Sequence, residues 1–359
     1  MSLLKRARKR LKYLLLSAVA GAWTLPLDRR PRSTGDLEDL SPRSIVAVRT
    51  DRIGDLLCST PLLLGLHRRW PDARLVLIPG PRNRAALAGL PFVEEGPVFR
   101  RDPASWAKVA WWLVRRRFEV CVSLRAESMA GAYVAAWSRA PVRIVTHAEH
   151  ASPAFNLILG ADDWHQTTRY CHAAALMGAP CQEIRPVFVV PQAAERRAEE
   201  VLPARTPVGG APLVGIQMPN RGGRRHAGRA WPPERVAALA GSLAADGCRL
   251  VLCGTGAERF EAERLRADVP GAILAPPVPL AVFAAIQRRL DLFISPYSGT
   301  LHLADAVGTA TVAYGQPEQV SGWSPIGPRH RHIEGRTAAE IPMDAVLGAA
   351  RELLAGRPR

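Results

Sequence analysis

Ile45-Val46-Ala47-Val48-Arg49-Thr50-Asp51-Arg52-Ile53-Gly54-Asp55-Leu56-Leu57 is the stretch from which the fold can be built. Ile45 to Val48 is a short apolar run, the loop after it is polar, and Leu56, Leu57, Leu62, Leu63 and Leu66 recur with helical spacing. A second apolar run, Leu75 to Ile78, follows the helix directly. Strand, loop, helix and strand in that order describe a right-handed crossover between neighbouring parallel strands. Further strands are expected at Val120–Leu124 and Arg143–Val145, with helices at Trp106–Arg116 and Ser128–Trp137. Together they make a doubly wound α/β half.

Beyond Pro186–Pro191 lies a charged stretch, Gln192–Pro207, long enough for a short linking helix, and the pattern then restarts with Leu213–Gln217. Helices are expected at Pro232–Ala245, Ala257–Ala267, Pro279–Arg288 and Leu301–Val307, and strands at Arg249–Cys253, Ala272–Leu274, Leu292–Ser295 and Ala310–Tyr314. A chain of 359 residues exceeds what one core usually serves. The expected division is an extension over 1–40, a Rossmann-like domain over 41–190, a linker over 191–210 and a second Rossmann-like domain over 211–359. Two such halves imply a cleft. Ligands of open parallel sheets bind at the carboxyl ends of the strands, which directs attention to the loops after Val48, Gln217, Cys253 and Ser295. There is no tandem repeat, and Gly254-Thr255-Gly256 lacks the rest of a dinucleotide fingerprint.

Hydrophobic residues at 48% and charged residues at 22% set intrinsic disorder aside. The formal charge of +16 calls for a polyanionic partner, a condition that nucleic acid, anionic lipid and phosphorylated saccharide all meet. No zinc-finger spacing or nucleic-acid recognition motif is present, so nucleic acid is not the expected partner. Cys58, Cys121, Cys171, Cys181, Cys248 and Cys253 are scattered without a close pair, and are read as buried thiols in a reducing compartment. At the start, Lys5, Arg6, Arg8, Lys9, Arg10 and Lys12 precede an apolar stretch, Leu11 to Trp23, too short to span a bilayer. Leu4, Ala7, Leu11, Leu15, Ala18 and Ala22 recur at helical steps, so this helix either lies on an anionic membrane surface or packs on the protein itself.

The loop Val48 to Asp55 followed by Leu56-Leu57-Cys58-Ser59-Thr60-Pro61 closely resembles the first-strand motif of glycosyltransferase family 9, the ADP-heptose:lipopolysaccharide heptosyltransferases. Gly228-Arg229-Ala230-Trp231-Pro232 looks like that family's donor-phosphate loop and Cys253-Gly254-Thr255-Gly256-Ala257-Glu258 like its base or ribose loop. Ser298-Gly299-Thr300-Leu301-His302-Leu303-Ala304 is similar to its motif at a helix start, and Gln316, Pro317, Trp323 and Pro325 match a looser loop. The resemblance implies a GT-B fold whose first domain holds the acceptor and whose second holds the nucleotide sugar. It also implies inverting transfer without a metal or other cofactor, from a donor such as ADP-heptose to a lipid-linked, lipopolysaccharide-type saccharide. The enzyme would then be cytoplasmic and peripheral on the inner face of the membrane; the oligomeric state is left open.

The resemblance carries roles to particular residues. Asp55 takes the place of the general base, although a carboxylate there can also cap the helix. Gly54 would let acceptor and backbone approach, or would serve an ordinary turn. Arg49 and Arg52 are candidates for an acidic acceptor, with surface pairing as the alternative; Asp51 either meets acceptor hydroxyls or pairs with one of these arginines. Arg229 stands at the family's donor lysine, with Arg221, Arg224 and Arg225 just upstream. Ser298, Gly299, Thr300 and His302 would complete a phosphate pocket at a helix N-terminus, and Glu258 would meet the ribose or else stabilise its own helix. Tyr297 stands where the family usually has an aspartate, and a phenol cannot supply an acceptor-only contact to sugar hydroxyls. Asp162-Asp163 reads as a cap or turn beside Trp164, not as a metal site.

Overall fold

The computed structural model describes residues 30, 32–125, 128–147, 152–161, 165–202, 210–219, 231–255 and 257–356. The chain divides into two compact units, 1–184 and 185–359. The membrane-surface reading of the N-terminal segment, the four arginines of the 221–229 loop and the Asp162-Asp163 pair fall outside the described residues.

The first unit runs β1 (Ser44–Arg49), α1 (Ile53–Arg69), β2 (Arg74–Pro79), β3 (Glu94–Glu95), α2 (Pro103–Arg116), β4 (Val120–Ser123), α3 (Met129–Ser138), β5 (Val142–Val145), β6 (Leu157–Ile158) and α4 (Gln166–Leu176). Its six strands are parallel, in the order β3-β2-β1-β4-β5-β6. Helices cover both faces of such a sheet, which is why the middles of β1, β2 and β4 read as apolar runs; β5 is interrupted by the buried Arg143, whose guanidinium donates to the Ala154 and Ala140 carbonyls at 2.6 Å. Val109, Ala110 and Leu113 of α2 and Val134 and Ala135 of α3 bury one face against Val46, Val48 and Cys121. Pro61 sits inside α1, where it cannot donate to the Leu57 carbonyl; the Thr60 hydroxyl donates there instead, at 2.6 Å. After α4 the chain turns through Gly178, with φ at 71°, and doubles back. Cys181 thereby comes beside Cys171, Cα atoms 5.4 Å apart, and the two form a disulfide, which corrects the expectation of six free thiols. The other four cysteines are buried thiols.

The second unit runs α5 (Gln192–Val201), β7 (Leu213–Gln217), α6 (Pro233–Ala245), β8 (Arg249–Cys253), α7 (Ala257–Asp268), β9 (Ile273–Leu274), α8 (Leu280–Arg289), β10 (Leu292–Pro296), α9 (Gly299–Ala306), β11 (Thr311–Gly315), α10 (Pro317–Trp323), β12 (His330–Glu334) and α11 (Met343–Ala355). These strands are also parallel, in the order β12-β11-β10-β7-β8-β9. Two cores form on the two faces of the sheet, one under α6, α7 and α11, the other under α5 and α8. The helix of the segment read as a linker, α5, sets Ala194, Ala198 and Leu202 against the core that holds Val282, Ala285 and Ile286 of α8. The stretch matched as a loose loop from Gln316 is a helix, α10, whose Gln319 Oε1 accepts from the Gln316 amide at 3.1 Å.

In each sheet the strand order reverses at one place, between β1 and β4 in the first and between β7 and β10 in the second. Loops leave such a switch point in opposite directions and open a crevice at the carboxyl ends of the strands. Among the described residues no helix is long and apolar enough to cross a membrane.

Candidate functional site

At the first switch point β1 ends in Arg49, and its loop delivers Asp51 and Asp55 to the same guanidinium. Arg49 Nε donates to Asp51 Oδ1 at 2.7 Å and Nη2 lies 3.4 Å from Asp55 Oδ1. Its Nη1 donates to the Leu124 carbonyl and to the Tyr170 hydroxyl, which itself donates to the same carbonyl. Leu124 follows β4 and Tyr170 belongs to α4, so elements on both sides of the switch point fix one side chain. Arg49, expected to meet the acceptor, is only 4% exposed and has its donors engaged inside the unit; it is a clamp on the two carboxylates. Burial works against its charge, but Tyr170, Asp51 and Asp55 outweigh this and hold it protonated above its ordinary value. Burial raises the Asp51 carboxyl above the usual range, with Arg49 pulling the other way.

Asp55 remains 19% exposed. Its Oδ2 accepts from the Arg52 amide at 3.2 Å, so the capping reading and an outward-reaching carboxylate are both present in one side chain. Arg52 is exposed at the N-cap of α1, and Gly54 lies buried in the first turn. Arg125, just beyond β4, brings a second, exposed guanidinium to Asp51 at 3.5 Å. Asn83 braces the neighbouring loop: its amide donates to the Arg49 carbonyl at 3.0 Å and its Oδ1 accepts from Gly80 N at 2.8 Å. Tyr170, Arg125 and Asn83 were not singled out from the sequence, because 121, 76 and 34 residues separate each from Arg49 or its loop partners and no spacing rule joins them.

At the second switch point three of the expected residues, Glu258, Ser298 and Thr300, are joined into one polar chain by a residue that was not expected. Gln217, the last residue of β7, donates through Nε2 to Glu258 Oε2 at 3.3 Å and accepts through Oε1 from the Thr300 hydroxyl at 3.2 Å. The hydroxyls of Thr300 and Ser298 lie 2.8 Å apart, and Ser298 lies 3.2 Å from the Ser295 hydroxyl. Glu258 also accepts from the Thr255 amide at 3.3 Å. Gly254 makes this possible: a Cβ there would meet the Glu258 backbone at 2.9 Å. Helix α9 opens at Gly299 with no side chain bonded over its first turn, which leaves backbone donors of the kind that bind phosphate. His302 is buried one turn later, its ring 6.1 Å from that of Trp323.

Tyr297 points away from that chain. Its ring lies over Gly315, where a Cβ would come within 2.6 Å, and its hydroxyl sits 3.2 Å from His332 Nδ1. His332 Nε2 faces the Pro325 carbonyl at 2.9 Å and must donate to it, so Nδ1 is the acceptor in the neutral ring and Tyr297 the donor. Burial, with Glu334 nearby, raises the phenol's pKa and keeps it neutral. Trp231, two residues beyond Arg229, is fully buried and stacks on Tyr314 with ring centroids 4.4 Å apart. Among the described residues no group of three or more His, Cys, Asp or Glu is placed to hold a metal.

No curated protein matches the sequence. Solved structures match across both units: a glycosyltransferase family 9 protein from Veillonella parvula (18% identity, TM-score 0.75, 89% of this chain and 99% of that one) and E. coli ADP-heptose lipopolysaccharide heptosyltransferase II (20%, 0.70, 87% and 98%). E. coli heptosyltransferase WaaC with ADP-2-deoxy-2-fluoro heptose matches at 18% identity and a TM-score of 0.69, over 86% of this chain and 99% of that one. At these identities the likeness is one of fold, and it places the two doubly wound units in the GT-B class. The family model for glycosyltransferase family 9 (heptosyltransferase) matches residues 106–344, a span that begins after the Asp55 loop and takes in the whole Gln217–Glu258–Thr300 chain. That match covers well over half of the sequence, and the chain belongs to glycosyltransferase family 9.

Proposed function

We propose that this glycosyltransferase moves heptose or a related sugar from a nucleotide donor, ADP-heptose or a close analogue, to an anionic lipid-linked saccharide of the lipopolysaccharide type, with inversion and without a metal. The observation that carries the reading is Asp55: a partly exposed carboxylate at the carboxyl end of β1, held by a buried arginine. In the proposed step Asp55 takes the proton of the acceptor hydroxyl as that oxygen bonds to the anomeric carbon. The bond from the same carbon to the diphosphate breaks, and the leaving electron pair stays with the nucleotide. Its growing negative charge is met by the open first turn of α9, by the hydroxyls of Ser298 and Thr300, and by Arg229, while Glu258 accepts from ribose hydroxyls. Arg52 and Arg125, both exposed beside Asp51 and Asp55, are proposed to meet the acceptor's acidic groups. The setting is the cytoplasmic face of a membrane.

Asp55→Asn keeps the volume and an acceptor for the Arg52 amide but loses the base. Single-turnover transfer with both substrates saturating should fall about 10² to 10⁴-fold. A rate within threefold of the parent would leave Asp55 as a cap only. A donor other than heptose is favoured by one observation, the Tyr297 hydroxyl committed to His332. Turnover with ADP-, GDP-, UDP- and CDP-sugars on the folded enzyme decides between the donors, and a failure of every one with a lipid-linked acceptor panel would support a binding scaffold instead.

A further inference from the structure

Helix α2 turns two different faces outward and inward. Val109, Ala110 and Leu113 are buried against the sheet, with Trp106 and Trp112 packed at the edges of that contact. On the opposite side Ala104, Lys108, Trp111 and Arg115 follow one another at steps of three and four residues, all exposed. Trp111 leaves 59% of its surface in solvent, the second most exposed of the large apolar side chains among the described residues. It does so under a guanidinium: Arg115 lies 4.3 Å over its ring and Arg116 lies 4.7 Å over that of Trp112. The segment 100–117 carries Arg100, Arg101, Lys108, Arg115, Arg116 and Arg117 against one acid, Asp102, whose carboxylate is spent on the Ser105 amide at 2.8 Å.

An exposed tryptophan flanked by cations is poorly placed in water and well placed at the headgroup level of a bilayer, where the indole meets the acyl boundary and the arginines meet phosphates. The basic stretch supplies charge complementarity to an anionic membrane surface. We propose that the outer face of α2 is a docking surface for an anionic lipid bilayer, with Trp111 inserted and Lys108, Arg115, Arg116 and the arginines at both helix ends on the headgroups. The helix starts at the carboxyl edge of its sheet, the edge that carries Asp51 and Asp55, so a bilayer along α2 lies beside the place where a lipid-linked acceptor has to be presented. This surface is separate from the basic N-terminal segment; it rests on the membrane setting proposed above and does not depend on which sugar is transferred.

Flotation of the full chain with phosphatidylglycerol vesicles, titrated in lipid, tests it. Binding is expected to weaken with salt and to vanish on phosphatidylcholine. Trp111→Ala should lower the partition coefficient several-fold. Arg115→Glu with Arg116→Glu should lower it at least tenfold, since each basic residue at such a surface is worth about a fivefold factor. Arg264→Glu, an exposed charge reversal on α7, should leave it unchanged. Thermal melts of the variants, matched to the parent's, show that the fold is intact. Equal vesicle binding by parent, Trp111→Ala and the double reversal would overturn the proposal, as would no binding by the parent. A dimer in the parent that Trp111→Ala abolishes, with vesicle binding unaltered, would give the face to a second copy and overturn it too.

Discussion

Arg49 shows what a residue's burial does to its role. A guanidinium in the open could reach an acceptor phosphate; one enclosed by Tyr170, Leu124, Asp51 and Asp55 sets the position of those carboxylates instead. Arg49→Met should cost about 3–5 kcal/mol in denaturant unfolding, because it leaves Asp51 and Asp55 without their buried partner. Loss of less than about 1 kcal/mol would show that the clamp is unimportant to the fold. Tyr170→Phe is gentler: one hydroxyl goes, Arg49 keeps the Leu124 carbonyl, and stability should fall by about 1 kcal/mol. If Tyr170 acts through Arg49 on Asp55, kcat should drop several-fold while donor Kd stays fixed; a change in Kd alone would contradict that role. Tyr297 belongs to the same scale. Its phenol donates to His332, so Tyr297→Phe should alter donor-sugar preference without weakening nucleotide binding, as read by competition with ADP.

Among the elements, α9 is held from within by a buried pair. Asp305 lies 3.5 Å from His330 of β12, whose other nitrogen is 2.9 Å from the Thr311 hydroxyl. Burial raises Asp305 from its ordinary 3.8 to about 7, against Arg185, and burial with the nearby His332, Arg329 and Arg331 lowers His330 from 6.5 to about 4. Between pH 4 and 6.5 the folded pair therefore holds one proton, on Asp305, and the unfolded chain also holds one, on the histidine. The two contributions cancel, and the pair adds no slope to stability over that range. Asp305→Asn removes only the acid's share. The unfolded chain then binds the extra proton, and stability should climb by about 2–3 kcal/mol from pH 4 to pH 6.5. A flat profile for the variant would rule out the depressed histidine. At the start of α7, Gly254→Ala should push Glu258 off Gln217, weakening donor binding with an unfolding cost of about 1–3 kcal/mol. Unchanged donor Kd would separate Glu258 from the nucleotide.

At the scale of the molecule each unit owns a sheet and the apolar packing on it, and α5 belongs with the second. A fragment of residues 185–359 should fold alone and bind ADP, whereas one starting at 203 loses Ala194, Ala198 and Leu202 from the α8 core and should melt well below it. Equal melting temperatures would make α5 a mere connector. The sequence by itself determined the doubly wound α/β character and the strand-end loops, because a sheet buried on both faces writes its strands as apolar runs that end where polar loops begin. It left β3, β6 and β12 unread: edge strands of two to five residues, such as Glu94–Glu95 and His330–Glu334, are half solvated and carry no apolar run. It could nominate Asp55, Glu258, Ser298 and Thr300 by likeness to a family. Only the tertiary structure decided that Arg49 faces inward, that Gln217 ties Glu258 to Thr300, and that Cys171 and Cys181 meet. Those contacts join residues far apart in the chain, and which of them form depends on how helices pack onto a sheet whose strand order the local pattern does not encode.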